Sequence, residues 1–398
     1  MIFSTYWFLT FLIFFLPVYF LAAGQPRFRL GWLLVGSAVF HTHFAGPAGV
    51  VPIILLGITV YFLGKSNRPA FHIAGIALSV ATLFFYKYTL FFIPNLVRPI
   101  FPELGTFLGS EAVRLLPAAP PLAISFFVFE FVHYLVDRKL GHPAIVHPAE
   151  FALFSIFFPT LVAGPIKRYE NFLPALRQGL REAGQADFVA GLLQAALGFS
   201  KKLVADNLTQ WLEGRDGAFA ESSLAARWIF LVALAFRILL DFSGYSDIAI
   251  GTARLMGIRI PANFNWPYLA TSLRDFWHRW HISLSSWIRD YIYIPLGGNR
   301  LGAPRQVVNG LIAFALCGLW HGPAWNFVVW GLYHGVGLAS THAYGQIPVI
   351  GPALAGFFRQ NPWAAWLVTQ LFVWFGWLLF FYPLGQAWTM FRLLGSAP

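Results

Sequence analysis

A single cysteine, Cys317, in 398 residues excludes an intrachain disulfide, and none of the ligand spacings of a zinc site is present. Charge is equally sparse. Asp, Glu, Lys and Arg together make up 11% of the chain, and only 16 residues are acidic against 27 basic ones. A soluble core of this size would leave too little polar surface to cover itself. Also missing are an internal repeat of the kind that builds many transporters, a low-complexity linker and a soluble domain. No Ser in a G-x-S-x-G elbow, no Walker loop and no H-E-x-x-H pattern offers a ready catalytic centre.

What fills the chain instead is apolar: 58% hydrophobic residues, among them 43 Phe and 16 Trp. This composition predicts an all-α polytopic membrane protein, because backbone facing lipid must satisfy its own hydrogen bonds. Runs long enough to span, about 20 residues each, begin near Phe3, Leu30, Val50, Phe71, Pro121, Gly191, Trp228, Val307 and Trp363. Shorter ones start at Phe151 and Trp325, which makes roughly nine to eleven spans in all. The first run, Phe3 to Leu21, lacks a basic leader and a clear cleavage site and reads as a retained span. Arg27 and Arg29 follow it, so the positive-inside bias places the N-terminus outside, with the basic turns at Lys65 to Arg68 and Arg138-Lys139 in the cytoplasm. The nearly neutral loop around Pro102 then falls outside. A net charge of +11, carried in short turns, fits anionic membrane lipids rather than nucleic acid.

We read residues 1–398 as one integral membrane domain with three regions. Residues 1–140 are peripheral spans, with few polar groups beyond Lys87, Glu130 and His133; residues 150–345 form the core, and 360–398 a C-terminal span. In the core the apolar segments are broken by Pro and Gly and carry charge, as in Gly164-Pro165-Ile166-Lys167-Arg168. Irregular backbone at membrane depth is tolerated only where protein or water surrounds it, which predicts re-entrant pieces and a polar cavity there. Asn171 to Asp187, with leucines at helical spacing between charges, suits either a short interfacial helix or a solvated loop.

Three constellations carry candidate chemistry. His321, beside Trp320 in the run Leu311 to Trp330, is followed by Gly322-Pro323, which should end the helix and open space by the ring. A titratable group at that depth is either a satisfied core residue or a general base, and a neutral imidazole can take a proton from an alcohol near pH 7. Between Leu273 and Ile288, Asp275 and Arg279 are i, i+4 partners, Arg274, His278 and His281 fall along one side, and Trp277, Trp280 and Trp287 suit the membrane interface. The arginines here, with Arg289 and Arg300, either meet lipid headgroups or bind an anionic donor. Asp241, Gly244, Tyr245 and Ile248 share one helix face, where Asp241 either pairs with a nearby Arg or binds substrate.

The segments FFPTLVAGPIKRYENF from Phe157, DFSGYSDIAIGTARLMGIRIPANFNWPY from Asp241, DFWHRWHISLSSWIRDYIYIPLGGNR from Asp275 and LWHGPAWNFVVWGLYHG from Leu319 resemble the membrane-bound O-acyltransferase family. The likeness is greatest to its bacterial branch, which acylates cell-surface polymers, and covers about Ser125 to Phe380. It implies a helical bundle with re-entrant segments around a funnel, an essential histidine matched by His321 and a second histidine matched by His281. Trp320, Asn326, Arg274, Arg279, Trp280, Ser285, Arg289, Asp241 and Tyr245 are then candidate substrate-binding residues. The implied chemistry needs no bound cofactor or metal. It moves an acyl group, acetyl from acetyl-CoA or another acyl thioester, from the cytoplasm across a bacterial cell membrane to a hydroxyl, by way of a secreted or periplasmic acyltransferase partner that modifies an extracytoplasmic polysaccharide. YIYIPLGGNR and VAGPI are similar to alginate-type O-acetyltransferases. The chain length is closer to that of the enzymes of D-alanyl transfer to teichoic acid from a carrier protein, and Leu-Phe-Phe-Tyr from Leu379 departs from the Phe-Phe-Arg-Ala usual there. A lipid or acyl transporter is the non-enzymatic alternative.

Overall fold

Pro, Gly and charge decide where the apolar runs break into helices in the computed structural model, which describes residues 3, 5–344 and 347–396. No strand occurs among the described residues. The expected external N-terminus, Met1, and the expected boundary at residue 345 lie outside them. Four described helices are long and apolar enough to cross a membrane: Pro26–Lys65, Pro69–Val97, Asp187–Glu213 and Pro362–Phe381. Other runs expected to span form shorter or more charged helices. Tyr6–Leu21 is too short at 16 residues, and Leu224–Leu255 carries Arg227, Arg237, Asp241, Asp247 and Arg254. The separate runs expected at Leu30 and Val50 form one helical stretch, Pro26–Lys65, interrupted at Gly46. There φ of 66° puts the backbone in a region that suits glycine, just ahead of Pro47.

The chain forms two units, residues 1–199 with 245–261 and residues 200–244 with 262–398. The segment from Pro148 to Phe199 packs with the N-terminal helices. The reason is visible at Lys167. Its ammonium, buried to 2% exposure, donates to Glu130 Oε1 of helix Ile124–Lys139 at 2.6 Å and to Thr160 Oγ1 at 2.9 Å. The Gly164-Pro165 loop is therefore tied to the first unit by a charge pair with no water to replace it.

Other charges in this unit are likewise internal ties. Arg29, read from the sequence as part of a basic cytoplasmic loop, is buried and donates to the carbonyls of Tyr19 and Leu180. Arg138 donates to the carbonyls of Gly64 and Ser66, so the two basic turns, 64–67 and 138–142, share one end of the unit. The segment from Asn171 is helical, within Tyr169–Glu182. Its apolar face, Phe172, Leu176 and Leu180, is covered by protein rather than lipid, and Arg177 holds both carboxylate oxygens of Glu150 at 2.7 Å. Helices Gln185–Glu213 and Leu224–Leu255 touch backbone to backbone at Gly191 and Gly251, where a Cβ on Gly251 would lie 2.5 Å from Ala195 N.

Breaking a buried ion pair by removing one partner costs about 3–5 kcal/mol, whereas neutralising both is far milder. Lys167→Met should therefore lower the thermal unfolding midpoint in detergent sharply, and the double variant Glu130→Gln/Lys167→Met should recover most of the loss. Equal midpoints for the single and double variants would show that the pair does not hold the loop.

Candidate active site

Helix Ala303–His321 ends where the sequence says it should, with Gly322 extended at φ −172°, ψ 155°, and the next helix, Trp325–Tyr344, begins four residues after His321. The two helices return on each other with almost no side chain between them. A Cβ on Gly318 would sit 2.0 Å from Phe327 O, and one on Gly331 would sit 2.1 Å from Phe314 O. His321 occupies the tip of this hairpin, half-buried. Its ring meets Trp320 at 4.8 Å, Phe380 at 5.1 Å and Trp330 at 5.2 Å between centroids. Trp325 is 45% exposed, and Trp330 and Phe380 form the walls. Phe380 belongs to helix Pro362–Phe381, so the C-terminal span contributes to the site.

His281 reaches the same place from a different element. The segment Leu273 to Ile288 is not one continuous helix with Arg274, His278 and His281 along one side, as its spacing suggests. It is two short helices, Leu273–Arg279 and Ile282–Ile288, with His281 between them in the left-handed region at φ 43°, ψ 53°. A non-glycine residue there is strained and must be held by its surroundings. The loop 263–265 holds it. Asn263 O accepts Ile282 N–H at 3.0 Å, and Asn265 N–H donates to Arg279 O at 2.9 Å. The His281 ring is buried between Phe242 at 4.7 Å and Trp320 at 6.1 Å, within electrostatic reach of His321. Trp320 thus touches both imidazoles.

A cavity of about 310 Å³ lies among the helices of this unit. Its polar lining includes Arg274, His278, Ser285 and Arg289, and its apolar lining includes Ile282 and Cys317. Ile282 follows His281, and Cys317 is one helical turn before His321. The cavity lining thus includes basic side chains together with residues that neighbour each histidine in the chain. Trp277, which also lines it, stacks edge-on near Trp330 at 5.9 Å, and Trp330 touches His321.

Residues 79–382 match the membrane-bound O-acyltransferase family. The chain is 34% identical to the probable alginate O-acetylase AlgI of Pseudomonas aeruginosa, over 97% of this chain and 74% of that protein. It is 32% identical to the peptidoglycan O-acetyltransferase of Helicobacter pylori, over 93% of this chain and 75% of that one. The teichoic acid D-alanyltransferase of Bacillus subtilis matches at 30% identity over 54% of this chain and 57% of its own length. The chain belongs to the membrane-bound O-acyltransferase family. It is an integral membrane acyltransferase, which requires an acyl donor, and a transporter is set aside.

Within this acyltransferase the remaining candidates fall in different places. Arg279 is paired with Asp275 at 2.8 Å rather than lining the cavity, and Trp280 is buried against Tyr268 and Trp377. Asn326 donates to Phe380 O at 3.2 Å, which ties the start of its helix to a wall of His321. Asp241 accepts from Lys202 at 2.7 Å, a lysine where an arginine was the expected partner. Tyr245, one turn further, packs on Phe3 at 4.5 Å. Two residues escaped the sequence reading. Asn263 has no signature beyond lying in a loop, whereas His334, fully buried with neither ring nitrogen hydrogen-bonded and 5.1 Å from Trp330, carried the same signal as His321: a histidine in an apolar run.

Because nothing larger than hydrogen fits at the helix crossing, Gly318→Ala or Gly331→Ala should move the His321 hairpin and cut acyl transfer by at least about tenfold, the scale expected of a 1 Å misplacement. Gly385→Ala in helix Leu384–Leu393, where a Cβ meets nothing within 4 Å, should leave transfer near normal. Transfer assayed in membranes at matched expression checks both.

Proposed function

We propose that this enzyme transfers an acetyl group from a cytoplasmic acyl thioester, acetyl-CoA, to a hydroxyl presented from the other side of a bacterial inner membrane. The final product is an O-acetylated extracytoplasmic polysaccharide, reached through a secreted or periplasmic acyltransferase partner, with the N-terminus outside. The observation that carries the reading is the pair of imidazoles, His321 and His281, both against Trp320, in the unit that holds a cavity lined by Arg274, His278 and Arg289. The two relatives matched over nearly the whole chain are named for O-acetyl transfer, which favours acetyl over D-alanyl, whose named enzymes match about half of it.

The chemistry follows from where the groups stand. An acyl thioester laid along the cavity puts its phosphate end near Arg274, which can hold phosphate oxygens in bidentate contacts, and near Arg289, itself paired with Asp290 at 2.7 Å, with its carbonyl near Cys317 and His321. His321 takes the proton of the hydroxyl as that oxygen attacks the carbonyl carbon; the C–S bond breaks and the thiolate leaves, taking the proton back from the imidazolium. Trp320, Trp330 and Phe380 limit the water that could hydrolyse the thioester. Ser285 lines the donor's path, and Asn326 holds Phe380 in place.

His321→Ala should lower transfer by about 10² to 10⁴, the range for loss of a positioned general base, with the protein still folded in detergent. The measurement is transfer of radiolabel from acetyl-CoA in nanodiscs with a co-expressed secreted partner; transfer only from a charged acyl carrier protein would favour the D-alanyl reading. Near-normal acylation by a well-expressed variant would remove His321 from the mechanism.

Donor binding has its own test. Arg274→Glu should raise the KM for acetyl-CoA by about tenfold or more, on the scale of about 1.5–3 kcal/mol for a charged hydrogen bond, while Arg279→Glu, outside the cavity, should change it much less. As the only thiol in the chain, Cys317 reports occupancy. Saturating acetyl-CoA should slow its alkylation by a small apolar maleimide several-fold, and unchanged labelling would mean that the donor lies elsewhere.

A further inference from the structure

We infer that Asn263 is a positioning residue that locks the tautomer of His281, so that its Nε2 presents a lone pair to the acyl-accepting hydroxyl. The assignment rests on one oxygen. Asn263 Oδ1 lies 3.2 Å from the backbone N of Ser283, 2.9 Å from Ser283 Oγ and 3.2 Å from His281 Nδ1. A backbone N–H can only donate, so the amide atom facing it must be the carbonyl oxygen, and the usual ambiguity of an amide's orientation does not arise. An oxygen that accepts from Ser283 cannot donate to His281. His281 Nδ1 must therefore carry the proton.

In the neutral ring the other nitrogen is then an acceptor. Nε2 is buried and has no hydrogen-bond partner among the described residues, although buried polar atoms are nearly always paired. A histidine so fixed cannot donate to a developing oxyanion unless it is first protonated, and the titratable group facing it, His321, opposes a second positive charge there. The remaining neighbours, Phe242 and Trp320, carry no charge. His281 Nε2 accepts the hydrogen bond of the incoming hydroxyl as it binds and so holds that oxygen at the thioester carbon; as the oxygen attacks, its one proton turns from His281 to His321, which removes it.

The inference rests on the acyl-transfer reading for its role, but the tautomer itself can be read without turnover. Full-length protein with ¹⁵N-labelled histidine side chains, in detergent at a pH where His281 is neutral, should show Nε2 as an unprotonated nitrogen, assigned by its disappearance in His281→Gln. Asn263→Ala keeps the backbone bond from Ile282 to residue 263 but removes Oδ1, so the signal should move toward a mixture of tautomers. In turnover the same variant should lose about tenfold or more in kcat with the KM for acetyl-CoA unchanged, since a wrong tautomer is costly even in an intact geometry. Asn263→Asp, whose carboxylate accepts the same three bonds, should keep the tautomer and recover most of the rate. A protonated Nε2 in the unaltered protein would overturn the assignment, as would an Asp variant no better than the Ala variant at equal thermal stability. An acyl donor other than acetyl-CoA would change the proposed function and leave the nitrogen signature as evidence for Asn263.

Discussion

The contact of helix Ala303–His321 with helix Trp325–Tyr344 at Gly318 and Gly331 is the constraint on which the site depends. Two backbones that leave no room for a methyl group bury no apolar side chains between them and gain instead from close van der Waals packing, the form of helix association available where lipid competes equally for apolar surface. The reward is position. A hairpin this tight leaves its tip no sideways freedom, so His321 stands at a defined height against Trp330 and Phe380. Asn326 then fastens the same hairpin to the end of helix Pro362–Phe381, and the three helices form one wall.

The second histidine is held by the opposite device. His281 sits in a turn rather than a helix, in a backbone region that costs of order 1–3 kcal/mol for a residue with a side chain. Loop 263–265 offsets that strain with backbone bonds on both sides and the Asn263 amide in the middle. One imidazole is placed by close packing, the other by hydrogen bonds.

Charge is scarce in this chain, and much of what is buried is spent on internal ties rather than on the site. Glu130 with Lys167, Lys202 with Asp241, and Arg29 and Arg227 on backbone carbonyls each fasten segments that the sequence keeps far apart; Arg227 alone joins 219–220 to 393–396. An unpaired ion at that depth would cost several kcal/mol, so such pairs specify which segments may meet. Of the arginines that line the cavity, Arg289 is also paired, with Asp290 at 2.7 Å.

Much was legible in advance. Composition determined an all-helical membrane protein, because only helices satisfy the backbone in so apolar a chain; Gly322-Pro323 determined where the His321 helix stops; and the segments around His281 and His321 marked the family and the two histidines. What the sequence could not show is what faces what. The periodicity of Leu273 to Ile288 looked like one helix because a single left-handed residue leaves no mark in a hydrophobic pattern, and the i, i+4 spacing that gave Arg279 its partner Asp275 did not show that Arg274, and not Arg279, lines a cavity. Asn263 was invisible for the same reason: its importance lies in which atom its amide oxygen meets eighteen residues away, and hydrogen-bond partners across that distance are decided only when the chain is folded.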